Sequence, residues 1–348
     1  MSDRSAANRL AWIDLLRGLA VVGMIETHVV NVFLNSGFDS AGWRSQLSFF
    51  NGLVAPAFLW IAGYIQGRSI RRSHELGRPV ATAARWRRLG FVTALSFLLH
   101  IPWHFWGVGD FGLASWKHFF QIDVLSCLGV SLGILLLAGQ LRPRWFDAVS
   151  VALLGFFVLA APLARGWHTG WPMVDGWLNR TEGSLFPLFP WLGFVAAGSL
   201  ASRWKLDGWF WPVLAVAMAW GGYELASGPF SNTDPLFFVE RLGWLLGLIL
   251  VVKAVSRFAA PAWLQLAGRE SLLMYMLHII LLHSFPAGGG MTWDRKIGQT
   301  LSIPSVALVF VGLLSVCLLA AWFNEGRKAR RAERARERQE NGPEPVGA

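Results

Sequence analysis

Charge is scarce in this 348-residue sequence: Asp, Glu, Lys and Arg make up 15% of it, while 54% is hydrophobic and the mean hydropathy is +0.44. Soluble domains carry about 25% charge, so an ordinary soluble globular protein is excluded. Cysteine is scarcer still. Cys127 and Cys317 are the only two, each inside an apolar stretch, which argues against a disulfide framework or a thiolate metal site. There is no G-x-x-x-x-G-K-[ST] loop, against ATP hydrolysis. No internal repeat is visible, which leaves an inverted-repeat transporter without direct support. A cleaved secretory signal is not expected either. The first apolar run is too long, carries Asp14, Arg17, Glu26 and His28, and has no small-residue cleavage site.

What the sequence has in abundance is long apolar runs. A membrane-crossing helix needs about 20 mostly apolar residues, and ten candidate spans follow one another: 10–35, 47–67, 89–107, 118–139, 147–164, 185–201, 209–226, 237–254, 264–285 and 300–323. The expected fold is therefore all-α, a polytopic membrane protein of about ten transmembrane helices. Of the 20 Trp, Trp43, Trp167, Trp209, Trp263 and Trp322 stand where apolar runs meet polar loops, the position of interfacial anchors.

The net charge of +10 belongs to loops and a tail, so it points to orientation rather than to a nucleic-acid partner. With the N-terminus inside, 22 Lys and Arg fall on the inner side and 6 on the outer, while Arg17, Arg241 and Arg269 lie within spans and complete the 31. That bias places both termini in the cytoplasm. Residues 1–9 are then a short cytoplasmic segment, and 324–348 a basic cytoplasmic tail against anionic membrane lipid.

Ionisable groups within a span are costly and are functional candidates by default. At 100° per residue, Arg17 and His28 lie 20° apart on the first helix. Asp14, Asn31 and Asn35 join them in one stripe, and Glu26 lies nearly opposite. Arg17 and His28 are about 16 Å apart along the axis. Asp14 and Arg17, at i and i+3, can neutralise each other. Following the topology, Asn31, His100, His104, Gln121, Asp123, Glu240, Arg241 and His278 all reach the outer half of the membrane, and together they would line a polar cavity. The i,i+4 pair His100 and His104 has Pro102 between its members and no completing carboxylate, so no metal is expected there.

The run I-D-L-L-R-G-L-A-V-V-G-M-I-E-T-H at Ile13–His28 resembles the opening helix of the transmembrane acyltransferases, in which an arginine and a histidine recur at this separation. F-N-G-L-V-A-P-A-F-L-W-I-A-G at Phe50–Gly63 is similar to the second helix of the bacterial relatives of heparan-α-glucosaminide N-acetyltransferase. F-P-L-F-P-W-L-G-F at Phe186–Phe194 and A-G-R-E-S-L-L-M-Y-M-L-H at Ala267–His278 are similar to the same group. The histidine that the animal enzyme carries in the loop after this helix has no counterpart here, since none occurs between His28 and His74.

The resemblance implies one acyltransferase domain over 10–323 in a bacterial inner membrane. It implies acetyl-CoA or another acyl-CoA as cosubstrate, with no tightly bound cofactor, and an extracytoplasmic glycan or glycolipid as acceptor. By the same resemblance Arg17, with Asp14, would bind the donor, and His28 would be the general base or carry the acyl group, supported by Asp123 or Asp14. The basic segment 68–88 reads first as a topology determinant and second as a landing site for CoA phosphates. The outer residues Trp167, His168, Trp171 and Trp177 read first as anchors and second as a sugar-stacking surface. A multi-pass transporter or lipid-linked sugar flippase is the alternative, because it too would need charges within spans.

Overall fold

Helices make up nearly all regular structure in the computed structural model, which describes residues 11–102, 109–180, 183–226, 232–258, 260–284 and 292–340. In chain order they are α1 (Ala11–Phe33), α2 (Gly42–Asn51), α3 (Val54–Glu75), α4 (Ala83–Leu99), α5 (Leu113–Phe119), α6 (Val124–Ala138), α7 (Pro143–Leu159) and α8 (Ala161–Ala164). There follow α9 (Pro172–Leu178), α10 (Leu188–Ala201), α11 (Phe210–Leu225), α12 (Pro235–Val255), α13 (Ala262–Arg269), α14 (Ser271–Ile279), α15 (Trp293–Ile297) and α16 (Ile303–Glu340). A π turn, Ile280–Ser284, extends α14. Among the described residues no β-strand forms; one isolated bridge joins Leu34 to Leu301.

The all-α expectation is met. Three segments are long and apolar enough to cross a membrane: Gly42–Glu75, Pro235–Val255 and Ile303–Ala335. The pair α5 and α6, bent by 59°, makes a fourth if it is one broken span. The opening helix α1 matches them in length, at 23 residues, and carries four ionisable groups. The Trp residues expected at interfaces are exposed, from Trp43 at 41% to Trp209 at 80%.

Several boundaries differ from the sequence expectation, each for a local reason. The third span begins earlier, because the Thr82 side chain caps α4 at Arg85. It ends at Leu99, two residues ahead of the position before Pro102, where helical backbone is disfavoured. The fourth is broken at Gln121–Asp123, because Asp123 caps α6. The first stops at Phe33, since Asn35 leaves the helix to cap the 3₁₀ turn Ser36–Phe38. The ninth is divided at Glu270. The tenth continues as one helix to Glu340, so the basic tail extends it.

The chain divides into two units, one of Met1–Asn51 with Ser256–Ala348 and the other of Gly52–Val255. In the second, α3 and α10 pack closely because Gly63 and Gly198 leave room: a Cβ on either would overlap the carbonyl of Val195 or of Trp60. Phe157, Phe189, Leu192 and Ala196 form a buried cluster beside this contact. At one end Asp147 bridges Arg71 at 2.5 Å and Arg203 at 3.0 Å, which neutralises part of the basic segment.

In the first unit α1 lies against α13, and also against α14 and α16. Gly18 and Gly268 permit the closest part of that contact. A Cβ on Gly18 would overlap the Leu264 carbonyl, and one on Gly268 the Asp14 carbonyl. Two of the short motifs read from sequence therefore pack directly on each other.

Candidate functional site

The first unit gathers four groups able to exchange protons. His28, half-buried on α1, has its ring centroid 5.2 Å from that of His278 on α14 and 5.9 Å from that of His283 on the π turn, both edge to face. His283 Nδ1 is 3.1 Å from Asp294 Oδ2 on α15. Among the described residues no group of three or more His, Cys, Asp and Glu is placed to hold a metal ion.

Two tautomers follow from the hydrogen bonds. The Met274 carbonyl can only accept, so His278 Nδ1, 2.9 Å away, carries the hydrogen and Nε2 has the lone pair. That Nε2 is buried and has no hydrogen-bond partner. An ionised Asp294 likewise only accepts, which puts the hydrogen on His283 Nδ1 and the lone pair on its Nε2. Burial raises the Asp294 carboxyl, but hydrogen bonds from the Thr292 side chain and His283 outweigh it and hold the group below the usual carboxylate value. It is ionised near neutral pH.

Further along α1, Arg17 Nη2 donates to Ser271 Oγ at 2.5 Å. Asp14 is buried on the same helix, and its charge is felt by Arg269. At the other end Arg44 donates to Asn31 Oδ1 at 2.8 Å and faces Asp39 at 3.8 Å, while Gln299 donates to the Asn31 carbonyl at 3.1 Å. The helix therefore presents Arg17, His28 and Asn31 to different neighbours within one unit.

The remaining expected site residues lie in the second unit, each with local partners. Asp123 Oδ1 accepts from the Ser126 backbone N–H at 2.9 Å and from Ser96 Oγ at 2.6 Å, the contacts of a buried helix cap. His100 caps α4, its Nδ1 2.9 Å from the Ser96 carbonyl and its ring 5.9 Å from that of His118. Gln121 Nε2 donates to the Gly183 carbonyl at 2.9 Å. Glu240 faces Arg241 at 3.9 Å, and the Arg241 guanidinium sits over the Phe237 ring. His104 lies outside the described residues.

Sequence reasoning missed His283, Asp294, Ser271 and Arg44. Ser271 had a signal, since it stands in the quoted G-R-E-S segment. His283 had none on a helical wheel: five residues beyond His278 is about 140° away in an α-helix, and the π turn with its i→i+5 bonding changes that angle.

Fold and site together define an all-helical membrane protein with a histidine-lined polar site beside its opening helix. The family model for the heparan-alpha-glucosaminide N-acetyltransferase catalytic domain matches residues 9–222, more than half of the chain, and the chain belongs to that family. It is accordingly a membrane acyltransferase of the N-acetyltransferase type. The match takes in Asp14, Arg17 and His28 and ends before Ser271, His278, His283 and Asp294. No curated protein matches the chain.

Proposed function

We propose that the protein moves an acetyl group from cytoplasmic acetyl-CoA to a hydroxyl or amine of an extracytoplasmic sugar or glycolipid, with His28 as general base. In this reading the chain crosses a bacterial inner membrane about ten times with both termini inside, as the Lys and Arg bias indicates. The observation that carries it is the placement of His28: one helix face with Arg17, and two neighbouring imidazoles whose Nε2 atoms bear lone pairs.

The chemistry follows from those groups. Arg17, held by Ser271, stays charged and gives directed hydrogen bonds to an anionic donor. His28 takes the proton from the acceptor as its oxygen or nitrogen attacks the acetyl carbonyl carbon. The carbon–sulfur bond breaks and CoA leaves as the thiolate. A transient acetyl-His28 would divide the same transfer into two steps. Asp123, with the contacts of a cap, supports the fold of α6 in this account.

The test uses the purified full-length protein in proteoliposomes, with acetyl-CoA as donor and glucosamine as probe acceptor. His28→Ala is expected to fold, to bind acetyl-CoA and to lose acetyl transfer by at least about 100-fold. A fully active His28→Ala protein would overturn the assignment. Mass spectrometry of cell-surface glycans from cells with and without the protein would identify the natural acceptor by one acetyl increment.

A further inference from the structure

The two imidazoles beside His28 are not equivalent. His278 is fully buried, with its Nε2 unpartnered inside the unit, so a proton placed there has no direct route to water. The His283 side chain is 34% exposed and its partner Asp294 27% exposed. Of these two described neighbours of His28, His283 is the one that both faces the site and has an exposed edge. Its Nδ1 is committed to the carboxylate, which fixes the ring and leaves Nε2 as the accepting nitrogen. The centroid separation of 5.9 Å from His28 allows transfer through a single water or after a small ring rotation.

Two other charged groups of this unit, Arg44 and Glu26, do not compete for the role. Arg44 is engaged by Asn31 and Asp39 and has no proton to exchange near neutral pH. Glu26 lies on the opposite face of α1, about 160° from His28.

We infer that His283 is a proton-relay residue and that Asp294 is the positioning residue that orients it. The inference rests on the acetyltransferase reading of His28. After the acceptor has lost its proton to His28, that proton passes to His283 Nε2 and from there to water at the exposed edge. His28 returns to its neutral form for the next turnover. The CoA thiolate released by the breaking carbon–sulfur bond takes its proton from water, so the overall reaction balances as acetyl-CoA plus acceptor giving acetylated acceptor plus CoA.

The experiment uses full-length protein in proteoliposomes with acetyl-CoA and glucosamine. His283→Ala is expected to lower kcat about 100-fold with the KM for acetyl-CoA within twofold, and added imidazole should restore the rate in proportion to its concentration. Asp294→Asn should lower kcat about 10-fold, and Asp294→Glu should recover part of that loss. A kcat for His283→Ala within twofold of the parent, or a folded variant that imidazole fails to rescue, overturns the relay. If His283→Ala does not fold, Asp294→Asn decides. A solvent deuterium effect on kcat larger than in the parent supports the relay, and an unchanged one overturns it.

The two levels fail differently. An active His28→Ala protein removes the base itself. A protein that needs His28 and ignores His283 removes only the relay. Should glucosamine not be acetylated by the parent protein, diethylpyrocarbonate labelling followed by peptide mass spectrometry replaces turnover. His283 should then react fastest of the three histidines and more slowly in Asp294→Asn, and equal rates in the two proteins overturn the pair's role.

Discussion

Arg17 and Ser271, 254 positions apart in sequence, are joined by a 2.5 Å hydrogen bond from guanidinium to hydroxyl. A hydrogen bond to a charged group contributes about 1.5–3 kcal/mol. Ser271→Ala should therefore leave the chain folded and remove one anchor of the guanidinium, weakening acetyl-CoA binding about 3-fold to 10-fold by calorimetry. Arg17→Lys, which loses the planar fork, should weaken it further. Unchanged affinity in both variants would separate this pair from the donor site.

The contact between Gly18 on α1 and Leu264 on α13, continued at Gly268 and Asp14, leaves no room for a methyl group. Gly268→Ala should lower stability by about 3 kcal/mol, the upper range for overpacking. Gly155 on α7 meets nothing within 4 Å, so Gly155→Ala should be neutral or stabilise by about 0.5 kcal/mol through helix propensity. Thermal denaturation of the two variants in detergent, followed by size exclusion, checks the contrast.

Asp123 separates capping from catalysis. Asn is as good a helix cap as Asp, whereas Ala removes the cap at a cost of about 1–2 kcal/mol. Asp123→Asn should keep both stability and acetyl transfer, and Asp123→Ala should lose stability first. An inactive but stable Asp123→Asn would assign it the catalytic role suggested by its charge.

Asp175 provides a pH dependence outside the spans. Its carboxyl lies below the usual value because the Thr169 backbone N–H and then the Thr169 hydroxyl donate to it. With the folded value depressed, the contribution to stability is complete above the unfolded value of about 3.9 and is lost as pH falls through the lower folded value. Amide exchange at Thr169 should stay slow down to about pH 4 and quicken below it. Asp175→Asn should flatten that dependence.

How far the sequence carried depended on how local each signal was. Apolar run length located most of the long helices, because it acts segment by segment. The pairing of D-L-L-R-G with A-G-R-E-S was legible only as two motifs, since nothing in either states that glycines at Gly18 and Gly268 bring them together. Asp123 looked like an intramembrane charge and has the contacts of a cap, because a residue just before an apolar run reads the same either way until Ser126 and Ser96 are seen to donate to it. His283 was hidden by the π turn, and Asp294 by lying in a loop segment without periodicity.

The order in which the chain is made has a consequence for the opening helix. Its Gly18 packs on Leu264 and its Arg17 donates to Ser271, so at about 5–20 residues per second the ribosome needs roughly 10–50 s to supply these neighbours. For that interval the helix has to persist beside a membrane before its contacts with Ser271 and with α13 can form, either held at the insertion machinery or covered by other polar groups. Slowing translation between the codons for Val255 and Ala262 would lengthen the exposed interval. Degradation of the nascent chain should rise accordingly, while the finished protein, once closed on itself, would be indistinguishable from the parent.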